Sequence, residues 1–244
     1  MNPAVTLATA RRVLGQLRHD HRTLAMLIVV PCVLLSLLAW IFDGTRTFDG
    51  LGAPLLGIFP FVVMFLVTSV ATLRERTSGT LERLLTMPIG KLDLLVGYAL
   101  AFGLVAVVQA TVAATLSVTL LGLDIAGPFW FLLLVAVLDA LLGMALGLFV
   151  SAFAATEFQA VQFMPAFVLP QFLLCGLLVP RDRMDDVLHA VSSVLPLSYA
   201  VDAMRDLGTT EGVAPEAWGD LSVVAFAIVL ALGLGAATLR RRTP

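Results

Sequence analysis

Few side chains in the long apolar segments of this sequence could carry out chemistry. The three histidines, His19, His21 and His189, lie outside those segments, so none can activate a serine or bind a metal within the membrane. The only Gly-Lys pair, Gly90-Lys91, lacks the upstream glycine and the following Ser or Thr of a phosphate-binding loop. We therefore expect no catalytic residue, no metal site and no ATPase site in this chain.

Asp139 is the one ionisable residue well inside an apolar segment. Such a group costs about 2.5–3.5 kcal/mol to insert into a membrane, and it often marks a functional pathway. Two interpretations stay open: Asp139 faces a cationic substrate on a cavity wall, or it is protonated or hydrogen-bonded to Gln109 or Thr115. We predict that Asp139, Gln109, Gln162 and Gln171 line a substrate path.

The composition is that of a membrane protein. Apolar residues make up 59% of the chain and charged residues 13%, against about 25% charged in an average soluble domain. A membrane-spanning helix needs about 20 predominantly apolar residues. Six stretches qualify, at about residues 24–42, 51–73, 94–121, 129–155, 158–179 and 221–239. We predict an all-α membrane protein with six transmembrane helices, forming one domain over residues 1–244.

The distribution of basic residues predicts the orientation. Cytoplasmic segments are enriched in Lys and Arg near the ends of spans. Eleven such residues fall before the first span, between the second and third, or after the sixth: Arg11, Arg12, Arg18, Arg22, Arg74, Arg76, Arg83, Lys91, Arg240, Arg241 and Arg242. Both termini are therefore predicted to be cytoplasmic, and residues 180–220 extracellular, with short helices between spans five and six. Residues 4–22 are predicted to form an amphipathic interfacial helix, with a flexible tail as the alternative.

Residues 74–91 form a strongly polar segment between two apolar spans. This segment is longer than a simple connection requires, and its pattern predicts a short helix that ends at Pro88 and Gly90. It is interpreted as a cytoplasmic docking element, with a solvated loop as the alternative. Separately, Gly143 and Gly147 form a Gly-x-x-x-Gly helix-packing face, which suits either an internal contact or a subunit interface.

Two motifs resemble those of a known family. The string Arg74-Glu75-Arg76-x-x-Gly79-Thr80-Leu81-Glu82-x-Leu84-x-x-x-Pro88 is similar to the signature between helices two and three of ABC-2 type permeases, particularly daunorubicin-resistance-like exporters of drugs or lipids. The stretch Leu195-Pro196-Leu197-Ser198-Tyr199-Ala200-x-Asp202-Ala203-x-Arg205 is similar to a segment before the last helix of that family.

The resemblance implies the permease subunit of an exporter in the bacterial cytoplasmic membrane. It implies a second permease subunit, identical or related, and a cytoplasmic ABC ATPase that binds ATP and Mg, with no cofactor in this chain. The residues of the first motif would form a coupling helix against that ATPase. Pro196, Tyr199, Asp202 and Arg205 would form an extracellular gate, or would only brace the outer loops.

The apolar spans favour a small hydrophobic or amphiphilic substrate, either a drug-like metabolite or a lipid, over a sugar or an ion. Membrane lipid is the expected surrounding partner, and nothing in the sequence predicts nucleic-acid binding. An ion-gradient-driven carrier or channel and a non-transporting assembly subunit remain alternatives. A single buried acid and the absence of an internal inverted repeat disfavour the carrier.

Overall fold

The computed structural model describes residues 2–43, 47–78 and 90–238, apart from the side chain of Lys91. Within these ranges the regular structure is entirely helical. The α-helices are α1 (Pro3–His19), α2 (His21–Ile41), α3 (Thr47–Thr77), α4 (Lys91–Thr119), α5 (Phe129–Ser151), α6 (Glu157–Leu174), α7 (Asp186–Ser192), α8 (Pro196–Thr209) and α9 (Pro215–Thr238). A 3₁₀ turn covers Arg181–Arg183.

The predicted all-α membrane class is confirmed, with five to six candidate spans among the described helices. Helices α2, α3, α4, α5 and α9 are each long and apolar enough to cross a membrane. The pair α7 and α8, bent by 91°, supplies a sixth candidate if it is counted as one broken span or a re-entrant loop.

Helix α6 is shorter than the fifth predicted span, residues 158–179. It has 18 residues and ends at Leu174, so its length is about 27 Å at 1.5 Å per residue. Gly176 then adopts a φ of +90°, which favours glycine and turns the chain out of the helical direction. Helix α6 is not among the five helices that meet the criteria of length and apolarity for a span.

Helices α3 and α5 form the central contact of the bundle. A Cβ atom at Gly143 would lie 2.1 Å from the Phe61 carbonyl oxygen, and one at Gly147 would lie 2.1 Å from Thr68 Oγ1. The Thr68 hydroxyl donates to Met64 O at 2.6 Å and also lies 3.3 Å from Met144 O. The Gly-x-x-x-Gly face is therefore occupied by α3 of the same chain, which decides for an internal contact.

Helix α1 packs against α4. Its buried positions include Thr6, Thr9 and Val13. A Cβ atom at Gly97 of α4 would lie 2.6 Å from Thr9 Cβ and 3.0 Å from Thr6 O, so glycine allows the two helices to approach closely. The amphipathic helix predicted over residues 4–22 corresponds to α1, which ends earlier, at His19. Asp20 caps the start of α2, because its carboxylate accepts the backbone N–H of Thr23 at 3.1 Å.

Residues 180–220, which were predicted as an extracellular segment with short helices, pack against the rest of the bundle through α8. The buried residues of α8 are Leu197, Ser198, Ala200, Val201, Ala203, Met204 and Leu207, and α8 packs against α3, α5 and α9. Gly127 N donates to Leu207 O at 2.9 Å, which joins α8 to the residues before α5. Helix α9 begins at Pro215, six residues before the predicted sixth span.

We expect Gly143→Ala to destabilise the protein through the α3–α5 contact. The added methyl group meets backbone atoms of Phe61, and such overpacking costs about 1–3 kcal/mol. Gly233→Ala is the matched control, because a Cβ there meets nothing within 4 Å. Both changes carry the same gain in helix propensity, about 1 kcal/mol. Thermal unfolding of the detergent-purified variants measures the difference; equal unfolding temperatures would contradict the close contact.

Candidate functional site

Charged side chains concentrate at one end of the bundle, called here the basic end. It is defined by α1, the C-termini of α3 and α5, and the N-termini of α4 and α6. Arg12 of α1 forms a bidentate pair with Glu75 of α3, with Nη1–Oε1 at 2.8 Å and Nη2–Oε2 at 3.1 Å. The Tyr98 hydroxyl of α4 donates to Glu75 Oε2, and Arg12 Nη2 lies 3.1 Å from Tyr98 Oη. Glu75 therefore joins α1, α3 and α4.

The two neighbours of Glu75 contact other helices. Arg74 pairs with Glu157, the first residue of α6, with Nε–Oε1 at 2.8 Å and Nη2–Oε2 at 3.0 Å. The hydrogen bond from Arg74 lowers the pKa of Glu157. Arg76 Nη1 donates to the carbonyl of Ser151, the last residue of α5, where a positive charge also complements the helix dipole. Three consecutive residues of α3 thus contact α6, α1 with α4, and α5.

Asp93 forms a second connection between α1 and α4. Its Oδ1 accepts Asn2 N at 2.8 Å and lies 3.4 Å from Thr6 Oγ1, while its Oδ2 accepts Gly90 N at 3.3 Å. Asp93 is only 6% exposed. Helix α1 and its N-cap therefore contact the chain at two places: Glu75, which precedes residues 79–89, and Asp93, which follows them.

Three residues of the predicted coupling motif make contacts at the basic end. Arg74, Glu75 and Arg76 are described and make the contacts given above. The remaining six predicted coupling residues lie outside the described residues: Gly79, Thr80, Leu81, Glu82, Leu84 and Pro88. Arg12, Tyr98 and Asp93 were not predicted, because a single sequence does not indicate which distant charges and hydroxyls meet.

Asp139 is buried among α3, α5 and α8. It is 1% exposed, and neither carboxylate oxygen has a hydrogen-bond partner among the described residues. A Cβ at Gly57 would lie 2.9 Å from its Oδ2 and 3.6 Å from Met204 Cε. A hydrogen bond to Gln109 or Thr115, offered as part of one alternative, is therefore not formed. Gln109 Nε2 donates instead to Leu27 O at 2.8 Å.

The four predicted path residues do not share one surface in this chain. Gln109, Asp139 and Gln171 are buried, and Gln171 donates within its own helix to Phe167 O at 3.1 Å. Gln162 of α6 is exposed. Neither of the two larger cavities found among the described residues is lined by any of the four.

The exposed face of α6 carries a glutamine and two prolines, and each proline removes a backbone hydrogen bond. Gln162 lies on this face beside Pro165 and Ala166. Pro165 and Pro170 have no N–H to donate to the carbonyls of Val161 and Ala166, which lie one turn before them. Such backbone groups are tolerated at membrane depth where they meet protein or a water-filled cavity.

The second predicted motif holds the segment that follows α6. Pro196 begins α8. The Arg181 guanidinium pairs with Asp202, lies 5.0 Å from the centroid of the Tyr199 ring, and donates to Ser193 Oγ at 3.2 Å. These contacts fasten the 3₁₀ turn and α7 to α8.

Tyr199 and Arg205 of the second motif make two further contacts with the residues around the 3₁₀ turn. The Tyr199 hydroxyl donates to Ser193 O at 2.7 Å, at the end of α7. Arg205 Nη2 donates to Leu177 O at 3.3 Å, close to the end of α6. The motif residues therefore bind the chain on both sides of the 3₁₀ turn.

Comparisons with known proteins agree with this architecture. Residues 3–207 match the family described as ABC-2 type transporter. The chain is 27% identical over 190 residues to ABC transporter G family member 20 of Dictyostelium discoideum, covering 77% of this chain and 25% of that protein. It is 25% identical over 167 residues to the probable multidrug ABC transporter permease YbhR of Escherichia coli, covering 68% of this chain and 45% of that protein.

A Bacillus subtilis protein, the linearmycin resistance permease protein LnrN, is 24% identical over 148 residues, which cover 60% of this chain and 38% of that protein. In all three comparisons the chain spans less than half the length of the relative.

Double-mutant cycles should separate the two ion pairs of the basic end. The Arg12→Ala and Glu75→Ala cycle should give a coupling energy of about 1–3 kcal/mol, because both side chains of this pair are mostly buried. The Arg74→Ala and Glu157→Ala cycle should give about 0–1 kcal/mol, because both side chains are more than half exposed. Denaturant unfolding of the purified variants measures both energies. The opposite ranking would contradict the geometry.

Asp202→Asn should loosen the residues around Arg181. Without the ion pair, trypsin should cleave faster after Arg181 and Arg183, because local opening exposes the 3₁₀ turn. Glu211→Gln removes the same charge from an exposed position beyond α8 and is the control. Mass spectrometry of timed digests reads the cleavage sites. An unchanged rate in Asp202→Asn would mean that the ion pair does not hold this segment.

Proposed function

Because this chain belongs to the ABC-2 type transporter family, we propose that it is the membrane permease subunit of an ATP-driven exporter. Its substrate would be a hydrophobic or amphiphilic compound, either a drug-like metabolite or a lipid, carried out of the cytoplasm or the inner leaflet. The names of two relatives, a probable multidrug permease and a linearmycin resistance permease, support this class of substrate. The location would be a bacterial cytoplasmic membrane, with both termini in the cytoplasm.

The observation that carries the proposal is the set of contacts made by Arg74, Glu75 and Arg76. Two residues separate Arg76 from the segment 79–89, and the three side chains connect the end of α3 to four other helices. A displacement of that segment would therefore reach α1, α4, α5 and α6 together. This is what a coupling element must do to turn closure of an ATPase into a movement of the membrane helices.

Helix α1 would strengthen this coupling. It is bound to Glu75 before the segment and to Asp93 after it. The two chain ends that border residues 79–89 are thus held by one short helix, so the segment would move with α1 as a unit. In the proposal, Gly79, Thr80, Leu81, Glu82, Leu84 and Pro88 contact the ATPase, and the three preceding residues relay the movement.

The partner ATPase would bind ATP and Mg. Among the described residues no group of three His, Cys, Asp or Glu side chains could hold a metal ion. The relatives are named as transporters and permeases, and no family of enzymes is indicated. The proposal assigns hydrolysis to a separate subunit and transport to this chain, in keeping with relatives that are named as permeases.

A second permease subunit, identical or related, would cover the exposed face of α6. Gln162 and the carbonyls freed by Pro165 and Pro170 need polar partners or water, which lipid does not provide. An interface between two permease subunits that encloses a substrate path would supply both polar partners and water. In this conformation the proposal places Gln162 on the path, whereas Gln109, Asp139 and Gln171 would reach it only after the surrounding helices move.

The motif on α8 would brace the outer end of that path. Tyr199, Asp202 and Arg205 hold the chain between α6 and α7 against α8, which Pro196 begins. Because α8 is itself packed against α3, a movement of α3 would carry the braced segment with it. This arrangement supports a gate that moves as a rigid unit.

The test is transport by the chain co-expressed with its partner ATPase. Glu82→Ala and Gly79→Pro should lower the transport of a fluorescent amphiphile about tenfold or more per ATP hydrolysed, because the coupling contact is lost while the bundle stays intact. Glu216→Ala, at the start of α9, is the control and should transport normally. Mass spectrometry of the complex purified in mild detergent identifies the ATPase. Wild-type transport by both variants, or no ATPase in the complex, would contradict the proposal.

A further inference from the structure

A cavity of about 500 Å³ lies at the basic end, between α1, α2, α3 and α4. Its size falls within the range of about 300–1,000 Å³ that is typical of small-molecule sites. Most of its wall is apolar, with Val63, Val67, Val70 and Ala71 of α3 facing Phe102 of α4. Such a lining accepts a hydrocarbon chain, because burying each methylene group is favourable.

The exposed apolar residues of the lining belong to α2 and α6, so we infer that the cavity opens between these two helices. The residues at the opening are Met26, Val30 and Val161, which are 65%, 37% and 47% exposed. They belong to apolar stretches of the chain, so the opening faces the hydrocarbon region of a membrane rather than water. A chain of a membrane lipid can therefore enter the cavity without leaving the bilayer.

The inner end of the cavity is polar. Asp20, Thr23, Arg74, Glu75 and Tyr98 lie there. This end also marks the start of α2, the point where the apolar span meets the charged surface segment. A ligand held here has its chain among the valines and its headgroup at the membrane surface, which is the arrangement of a phospholipid in its own leaflet.

The charges at this end do not balance. Arg12 compensates Glu75, and Arg74 compensates Glu157. The Asp20 carboxylate accepts two hydrogen bonds from Thr23, which lower the pKa of Asp20 and keep it ionised. The nearby positive charge of Arg74 also lowers the pKa of Asp20, but Asp20 forms no direct ion pair with any described residue. Of the charged residues that line the cavity, Asp20 and Glu75 are acidic and Arg74 is basic, so their formal charges sum to −1.

We propose that this cavity binds one membrane aminophospholipid of the ethanolamine class. Its acyl chain lies along α3, its ammonium group meets the Asp20 carboxylate, and its phosphate lies beside Arg74. The ammonium group can pair with Asp20, and the phosphate can accept from Arg74 Nη1, which the pair with Glu157 does not use. An anionic headgroup without the amine would place further negative charge beside Asp20. The bound lipid would fill the gap between α1 and α3 next to the Arg12–Glu75 pair. The proposal concerns binding and does not depend on transport.

Native mass spectrometry of the detergent-purified full chain, titrated with lipids, tests this inference. Phosphatidylethanolamine should bind as one molecule per chain, about fivefold to tenfold more tightly than phosphatidylglycerol. Asp20→Asn removes the charge but keeps a side chain that caps α2 equally well. It should abolish the preference between the two headgroups while leaving the unfolding temperature nearly unchanged.

A second pair of variants tests the chain site. Ala71→Phe places a ring in the cavity and should weaken binding of both lipids, whereas Val229→Phe on the exposed face of α9 should change neither. Val67→Phe replaces Ala71→Phe if that variant does not fold. Unaltered lipid binding in the cavity-filling variant would overturn the site.

Two further results would also overturn the proposal. A headgroup preference that survives Asp20→Asn would refute the amine assignment. Cross-linking between copies from Met26→Cys to Val161→Cys, with no retained lipid, would show instead that a helix of a second subunit occupies the opening. Selective binding of the ethanolamine lipid, lost in Asp20→Asn and in Ala71→Phe, would support it.

Discussion

The close contact between α3 and α5 is the constraint on which the rest of this structure depends. Membrane helices gain little from hydrophobic burial, since lipid is equally apolar, and they associate through tight packing and interhelical polar contacts. Here two glycines of α5, Gly143 and Gly147, allow the backbone of α3 at Phe61 and Phe65 to occupy the space that a side chain would otherwise fill. Thr68, which lies close to a carbonyl of α5, adds a polar contact at the same place.

This contact fixes the position of α3, and it thereby fixes the directions in which the charged side chains at the end of α3 point. Successive residues of a helix differ in direction by about 100°, so Arg74, Glu75 and Arg76 point toward three different neighbours. Both ion pairs have two hydrogen bonds. The Glu75 pair is mostly buried, whereas the Arg74 pair is more than half exposed and is expected to contribute little to stability. The end of α3 is therefore firmly attached to α1 and α4, and less firmly to α6.

Local patterns in the sequence correctly predicted much of the fold. Long apolar stretches located α2, α3, α4, α5 and α9, because length and hydropathy are sufficient to recognise a spanning helix. The end of α6 was predicted too late, because the apolar run continues past Gly176 although the backbone turns there. The helices between residues 180 and 220 were expected, but the burial of α8 was not, because a mixed sequence does not show what it packs against.

The sequence by itself determined the membrane class, the approximate positions of the spans, and the location of the charged segment, since these are properties of composition along the chain. Only the tertiary structure decided which partners the charged groups have. Arg12 and Glu75 are 63 residues apart, and Asn2 and Asp93 are 91 residues apart. The tertiary structure also packs Asp139 against Gly57 of another helix, where no described residue forms a hydrogen bond with it. Such contacts depend on how helices distant in the chain are brought together, and no local pattern encodes that.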